Sequence, residues 1–226
     1  MVISRNHSQC TATVNGVTLR QVENFKYLGF TFSSDGTLDA EIDRRIGAAS
    51  AVMRQLYRGV ISKRELSSKA KISVYKTIFY PTLTYGHELW VMTERMRSRI
   101  QAAEMRFLRR VAGLTLLDRV RSSEIRQGFN MEPALLQIER SQLRWIGHVL
   151  RMSPNRLVHK VWKARPIGRR PRGRPRTRWG DQALNIGGRL SLRRWTDFEA
   201  IANDRTAWRS LLRGLPARPS RTSAHE

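Results

Sequence analysis

Apolar and polar positions change rhythm along this chain, and each change marks a change of element. Before residue 37 apolar residues tend to alternate with polar ones. Met1 to Ser4 and Cys10 to Val14 read as extended, and Asn15-Gly16, between Thr13-Val14 and Val17-Thr18-Leu19, is a strong two-residue hairpin signal. A further β-rich run carries Phe25, Tyr27, Leu28, Phe30 and Phe32 with Thr31 and Ser33 interleaved, closed by Asp35-Gly36. After Thr37 the period becomes 3.6. Ile42, Ile46, Ala49, Met53 and Leu56 form one apolar helical face that Gly59 ends. Ser62 with Glu65 reads as a capping box for a second helix, with Ile72, Tyr75, Ile78 and Phe79 inward until Pro81 breaks it. A third helix, about Glu94 to Val111, turns Met96, Ile100, Ala103, Phe107 and Val111 inward and stops at Gly113. A fourth, Glu132 to about Met152, opens with Pro133 and buries Leu135, Ile138, Trp145, Ile146 and Val149. Helical pattern returns from Trp179 to Ile186, and again after Thr196-x-x-Glu199, a second capping box, with Ile201, Trp208, Leu211 and Leu212. From Pro216 to Glu226 the composition reads as disordered.

Charge changes this picture from a fold to a partner. Of 226 residues, 42 are basic and 18 acidic, a net charge of +24. Only 12 basic and 7 acidic residues precede residue 93, against 30 and 11 after it. Arginine supplies 35 of the basic residues and lysine 7, which favours bidentate phosphate contact over point charge. A lone cysteine, Cys10, excludes an internal disulfide, and the five histidines lack the i, i+4 spacing of a helical metal site. No run approaches the ~18 apolar residues of a membrane span, and no basic segment followed by an apolar one opens the chain. The expectation is a soluble intracellular protein that meets a polyphosphate.

Between Arg165 and Arg178 the helical order fails: Arg165, Arg169, Arg170, Arg172, Arg174, Arg176 and Arg178 stand with three prolines, two glycines and no acid. This reads as an extended, exposed arm able to neutralise several phosphates. Inside it, Pro171-Arg172-Gly173-Arg174-Pro175 matches the core of an AT-hook, whose arginines lie along a narrow A·T minor groove. Arg95, Arg99, Arg106, Arg109 and Arg110 share the polar face of the third helix and could track a backbone there; the alternative is a solvated face. Trp145 and Trp208 sit on apolar stripes and read as core, whereas Trp162 and Trp179 flank the arm, where base stacking competes with packing. Asp39, Glu41 and Asp43 crowd one helix start, where negative charge favours the dipole, so a helix-start role outweighs a metal site. From residues alone there is no visible active site and no resident metal or cofactor.

Six ordered blocks carry a resemblance: Phe25-Lys26-Tyr27-Leu28-Gly29; Asp35-Gly36; Pro81-x-Leu83-x-Tyr85-Gly86-x-Glu88-x-Trp90; Leu143-Arg144-Trp145-x-Gly147-His148-x-x-Arg151-Met152; Gly173-Arg174-Pro175-x-x-Arg178-Trp179; and Asp204-Arg205-x-x-Trp208-Arg209. In order and rough spacing the chain resembles the C-terminal part of endonuclease/reverse-transcriptase polyproteins of LINE-type, non-LTR retrotransposons. His87 stands where that family usually has a small polar residue, and the Cys/His zinc knuckle of some such elements is missing. The resemblance implies an α+β fold. Residues 1–36 would be the last palm strands, with Tyr27, Leu28 and Gly29 at the hairpin that grips the primer end, and 37–113 a thumb-like helical region. Residues 114–164 would be a C-terminal helical region, 165–178 the basic arm, 179–215 further helices and 216–226 a disordered tail.

The family's catalytic Tyr/Phe-x-Asp-Asp hairpin would lie upstream of Met1, and phosphoryl transfer to a primer needs such metal-binding aspartates. The expectation is therefore a non-catalytic part of an RNA-directed DNA polymerase, with no cofactor of its own although the intact parent enzyme uses magnesium. It would bind RNA or an RNA/DNA duplex, and A·T-rich DNA is a further candidate. Its other implied partner is the rest of the polyprotein, no membrane is involved, and the nucleus is favoured over the cytoplasm. Two rivals stand beside this reading: a domesticated chromatin protein using the arm, and an incomplete view of an active enzyme. Palm strands parted from their sheet would also leave an unpaired edge and an apolar face near Phe30 and Phe32.

Overall fold

Two strand pairs and ten α-helices follow one another in a computed structural model that describes residues 1, 3, 9–164, 173 and 177–218. The fold class is α+β, with helices dominant. Arg165, Arg169, Arg170, Arg172, Arg174 and Arg176, residues 219–226 of the tail, and Val2 and Ser4 of the expected Met1 to Ser4 strand lie outside the described residues. Among the described residues no helix is long and apolar enough to cross a membrane. The chain divides into two units by its contacts: unit 1 holds residues 1–86 and 93–129, and unit 2 holds residues 87–92 and 130–226.

Unit 1 begins with β1 (Thr13–Val14) and β2 (Val17–Thr18), antiparallel with Val14 opposite Val17. Asn15 and Gly16 both have positive φ, 50° and 79°, the two-residue turn that the Asn-Gly pair favours. The run from Phe25 to Phe32 is not one strand. It folds back into β3 (Asn24–Tyr27) and β4 (Phe30–Ser33), with Phe25 opposite Phe32, because Leu28 and Gly29 take φ of 47° and 75° and make a second such turn. Phe30 is buried, contrary to the expectation of an apolar face there, and its ring fills the space that a side chain at Gly86 would occupy. Val14, Val17, Phe25 and Tyr27 are the exposed apolar positions of these strands.

Helix α1 (Asp39–Leu56) buries Ile42, Ala49 and Met53 and continues past Gly59 through a π turn, Tyr57–Ile61. The second helix starts later than the Ser62–Glu65 pattern predicts: α2 (Ser68–Val74) is capped by Ser67, whose hydroxyl accepts from the Ala70 amide at 3.2 Å. It also runs beyond Pro81. A π turn, Tyr75–Phe79, shifts the register so that Pro81 enters the first turn of α3 (Tyr80–Thr84), where a missing N–H costs little. That shift turns Ile78 outward, so Tyr75 and Phe79 carry the face. Helix α4 (Glu94–Ala112) is capped by Thr93 and ends at Gly113, φ 70°, as predicted. It brings Met96, Ile100, Phe107 and Leu108 into the core, with Phe107 centred 4.7 Å from Phe79 and 5.3 Å from Tyr75. Helix α5 (Ser122–Gly128) closes the unit through Arg126, which donates to the buried Glu104 carboxylate at 2.6 Å.

Unit 2 is organised by α6 (Ala134–Leu150), which begins one residue after Pro133 and buries Leu136, Leu143, Ile146 and Val149. Leu135 and Trp145 are only half-buried, because the buried stripe runs through Leu136 and Leu143. Helices α7 (Leu157–Lys163), α8 (Trp179–Gly187), α9 (Trp195–Ala202) and α10 (Arg205–Arg213) follow. Ala183 and Ile186 of α8, Phe198 and Ala202 of α9, and Trp208 and Leu212 of α10 form one apolar cluster with Leu136, Leu143 and Ile146 of α6. Capping differs from the expected Thr196–Glu199 box. The Asp197 carboxylate accepts the Arg193 and Arg194 amides at 3.0 and 2.9 Å to start α9, and Asp204 accepts the Thr206 and Ala207 amides to start a separate α10. Those amide bonds, the Arg194 amide foremost, hold the Asp197 carboxyl below the usual range.

Residues 87–92 belong to unit 2 through a buried amide cluster. Gln142 Nε2 donates to the carbonyls of His87 and Trp90, both at 2.8 Å, and Gln182 Nε2 donates to Gln142 Oε1 at 2.8 Å. Gln182 Oε1 accepts the Met92 amide in return. Trp90 is fully buried beneath this network. Buried amides satisfied in this way fix geometry more than they add stability.

Candidate nucleic-acid interface

The Tyr27-Leu28-Gly29 hairpin tip is held from behind and open in front. A leucine with positive φ is uncommon, since its Cβ crowds the backbone there, so the turn needs support. The Tyr85 hydroxyl donates to the Leu28 carbonyl at 2.6 Å, and Arg44 and Arg45 of α1 both donate to the Gly29 carbonyl. The two guanidinia are in turn anchored on Glu41, which is fully buried and also accepts the Thr31 amide at 3.0 Å. Burial alone would raise the Glu41 carboxyl, but hydrogen bonds from Arg44, Arg45 and Thr31 outweigh it and hold that carboxyl below its ordinary range. Arg45 also lies over the Tyr85 ring, 4.3 Å from its centroid. With both carbonyls tied down, the side chains of Tyr27 and Leu28 project outward, 58% and 74% exposed.

Glu41 thus does more than favour a helix dipole. The i, i+3 and i, i+4 spacing of Glu41 to Arg44 and Arg45 was the available signal for this latch. Sequence periodicity could not add Tyr85, which is 57 residues from its partner.

The five arginines on the polar face of α4 separate into two kinds. Arg99 is paired with Asp43, with Asp39 3.9 Å away, so the helix-start carboxylates fasten α1 to α4. Arg109 donates to the carbonyls of Thr115 and Val120 at 3.2 and 2.8 Å, bracing the loop that follows the helix. Inside that loop the amide and hydroxyl of Thr115 bond the Asp118 carboxylate and hold its carboxyl below the usual range. Arg95, Arg106 and Arg110 remain exposed, and none has a carboxylate within ion-pair distance among the described residues. Arg110 lies 5.2 Å from the centroid of the Tyr57 ring. A groove of about 580 Å³ follows this face, lined by Ser98, Gln101, Arg106, Arg109, Arg110 and the Leu114–Leu116 segment, with no acidic residue.

At the far end of the arm, Arg178 is engaged through its backbone amide, and the tryptophans through their rings. Arg178 precedes α8, and its amide donates to Asp181 at 2.9 Å. Trp179 is half-buried, donating from Nε1 to the Glu88 carbonyl at 2.6 Å, and Trp162 packs edge-on to it and to Trp195. Trp208, expected in the core, is buried in that of unit 2. Among the described residues no three of His, Cys, Asp or Glu converge in a way that could hold a metal ion.

No family model matches the chain, and no solved structure matches it. Over 206 residues it is 27% identical to a transposon-derived protein of Caenorhabditis elegans, covering 86% of this chain and 72% of that one. It is 23% identical to the RNA-directed DNA polymerase from mobile element jockey of Drosophila melanogaster, over 74% of this chain and 18% of the polymerase. A third relative, described as a probable RNA-directed DNA polymerase from transposon BS of the same fly, is 26% identical over 69% of this chain and 17% of its own length. The chain therefore spans under a fifth of the two polymerases it matches. These matches agree with the resemblance, and by sequence the chain is related to transposon-derived proteins and to the RNA-directed DNA polymerases of non-LTR mobile elements.

Proposed function

We propose that this chain is a nucleic-acid-holding part of a retrotransposon reverse transcriptase and contributes no polymerase chemistry by itself. The observation that carries the reading is the α4 groove, where Arg106 and Arg110 stand exposed without carboxylate partners while Arg109 stiffens the adjoining loop. Guanidinia left uncompensated beside a groove free of acids attract phosphates and release counterions on binding. The hairpin supports the same reading. A strained turn fixed by Tyr85, Arg44 and Arg45 gives Tyr27 and Leu28 a rigid position from which to meet a primer strand. The sequence contains no adjacent aspartate pair, so this chain would position a template-primer without extending it.

The test is binding of the purified chain to A·T duplex, G·C duplex and structured RNA across a salt series, with R106A/R110A and R172A/R174A variants beside it. The reading expects all three ligands to bind with a steep salt slope that R106A/R110A lowers by about two phosphate equivalents. An unchanged slope removes the α4 groove. A preference of about tenfold or more for A·T duplex, lost in R172A/R174A, would instead place the Pro171 to Pro175 motif first and favour a chromatin role. Primer extension with magnesium by the pure chain would overturn the non-catalytic part of the proposal.

A further inference from the structure

A second basic concavity, in unit 2, was invisible in any single stretch of sequence. Helices α6 and α10 pack together through Trp208, whose indole lies so close to Gly147 that any side chain there would collide with it. Beside this contact runs a cleft of about 460 Å³ whose charged lining is entirely arginine, with Trp208 and Leu212 as its apolar part. Helix α6 contributes Arg140 and Arg144 to it, and Arg151 follows just past the helix end. Helix α10 contributes Arg205, Arg209 and Arg213.

Two of these six are structural. Arg140 is paired with Glu132 at 2.5 Å and donates to the Arg213 carbonyl, while Arg151 donates to the Ala202 carbonyl at 2.7 Å. The other four, Arg144, Arg205, Arg209 and Arg213, are exposed and have no carboxylate partner among the described residues. The nearby acids are engaged elsewhere: Glu132 on Arg140, Glu139 on Arg189, and Asp204 on the amides that start α10. Burial, and to a lesser extent the nearby Arg205, holds the Arg151 guanidinium below its ordinary range.

Spacing selects the ligand. Arg205, Arg209 and Arg213 follow one another at four-residue intervals, so their attachment points rise by ~6 Å per step along one helix face. Arg140 and Arg144 repeat the step on α6. A row of guanidinia at even spacing matches a row of anions such as the successive phosphates of a strand, whereas a compact anion would use one or two of them. We infer that the α6–α10 cleft is a binding site for the sugar-phosphate backbone of a nucleic-acid strand, held by Arg144, Arg205, Arg209 and Arg213 above the Trp208 contact. This site lies within unit 2 and is separate from the α4 groove of unit 1, though it rests on the reading that the chain holds nucleic acid.

Arginine labelling with a dicarbonyl reagent, read by mass spectrometry on the full chain with and without a twelve-nucleotide single-stranded RNA, tests it directly. Protection of Arg144, Arg205, Arg209 and Arg213 by several-fold is expected, alongside Arg106 and Arg110. Protection confined to Arg106 and Arg110 overturns the cleft and leaves the proposed function standing. Protection of none of these arginines overturns the cleft and removes the α4 groove as well. Tripolyphosphate competing as well as the RNA, charge for charge, makes the cleft a compact-anion site and also overturns the inference. An R144A/R205A/R209A variant should keep the wild-type circular dichroism and melt while its salt slope for the RNA falls by about two units. Because the labelling uses the unaltered chain, it decides the matter even if that variant misfolds.

Discussion

The arginines that hold the hairpin and helices of unit 1 and those that line the α6–α10 cleft of unit 2 do different work, and the carboxylates around them make the difference. In unit 1, Asp43 takes Arg99, Glu104 takes Arg126 and Glu41 takes Arg44 and Arg45, so these four guanidinia become fasteners, while Arg106 and Arg110 beside the α4 groove stay unpaired among the described residues. In the α6–α10 cleft of unit 2 the acids are committed to other groups, and four guanidinia face solvent unbalanced. A count of basic residues therefore does not measure capacity for phosphate. The count left after internal pairing does, and that count depends on packing.

The comparison breaks most visibly at Glu41. Glu41→Ala leaves two guanidinia without their counter-charge and unpins the hairpin turn, and unit 1 should lose about 3 kcal/mol, the low end of the buried-pair range because Arg44 is partly solvated. Denaturant titration checks this, and a loss below about 1 kcal/mol would show that the latch is not a fastener. The same carboxyl is held low in the folded state, so its contribution is present above the ordinary carboxylate range and fades as pH falls through the lowered value. Hydrogen exchange of the α1 amides should therefore accelerate below about pH 4 in the native chain. In Glu41→Ala that added pH dependence should be absent.

Next in size is Gly147→Ala, which forces a methyl group into the Trp208 indole and should cost unit 2 about 1–3 kcal/mol. Exchange in α6 and α10 should rise, with α1 and α4 unaffected. If α1 and α4 respond equally, the two units do not unfold separately. Arg109→Ala removes two hydrogen bonds that brace the loop after α4 and should cost about 1 kcal/mol, seen as faster exchange across residues 114–121. Smallest of all, Arg144→Ala, Arg205→Ala and Arg209→Ala should each change stability by less than about 0.5 kcal/mol, since none makes an internal bond among the described residues. A loss above about 1 kcal/mol at any of them would place it with the fasteners.

Local features were legible where local physics decides them. Asn15-Gly16 makes its turn and Gly113 ends α4, because two-residue turns and left-handed C-caps depend on neighbours in sequence. Features that failed were those in which two local solutions compete. Ser62–Glu65 and Ser67 both offer a cap, and Ser67 is used; Thr196–Glu199 and Asp197 both offer one, and Asp197 is used while Glu199 meets Lys163 at 2.7 Å. Pro81 reads as a stop in the sequence, since the π turn Tyr75–Phe79 before it is not encoded in any periodic pattern. Leu28-Gly29 reads as the middle of a strand by alternation, whereas the family resemblance puts a hairpin there.

By itself the sequence determined the α+β class, the helices' apolar faces, the excess of arginine and the kinship with mobile-element polymerases, all of which are carried by composition, period or ordered blocks. Tertiary structure alone decided which arginines are free. A guanidinium is spent or available according to whether a carboxylate or carbonyl arrives within about 3 Å of it. The partners that arrive come from far along the chain: Asp43 for Arg99, Ala202 for Arg151, Gly29 for Arg45. No periodicity along the chain records those meetings, because they are set by how helices pack and not by how each one is written.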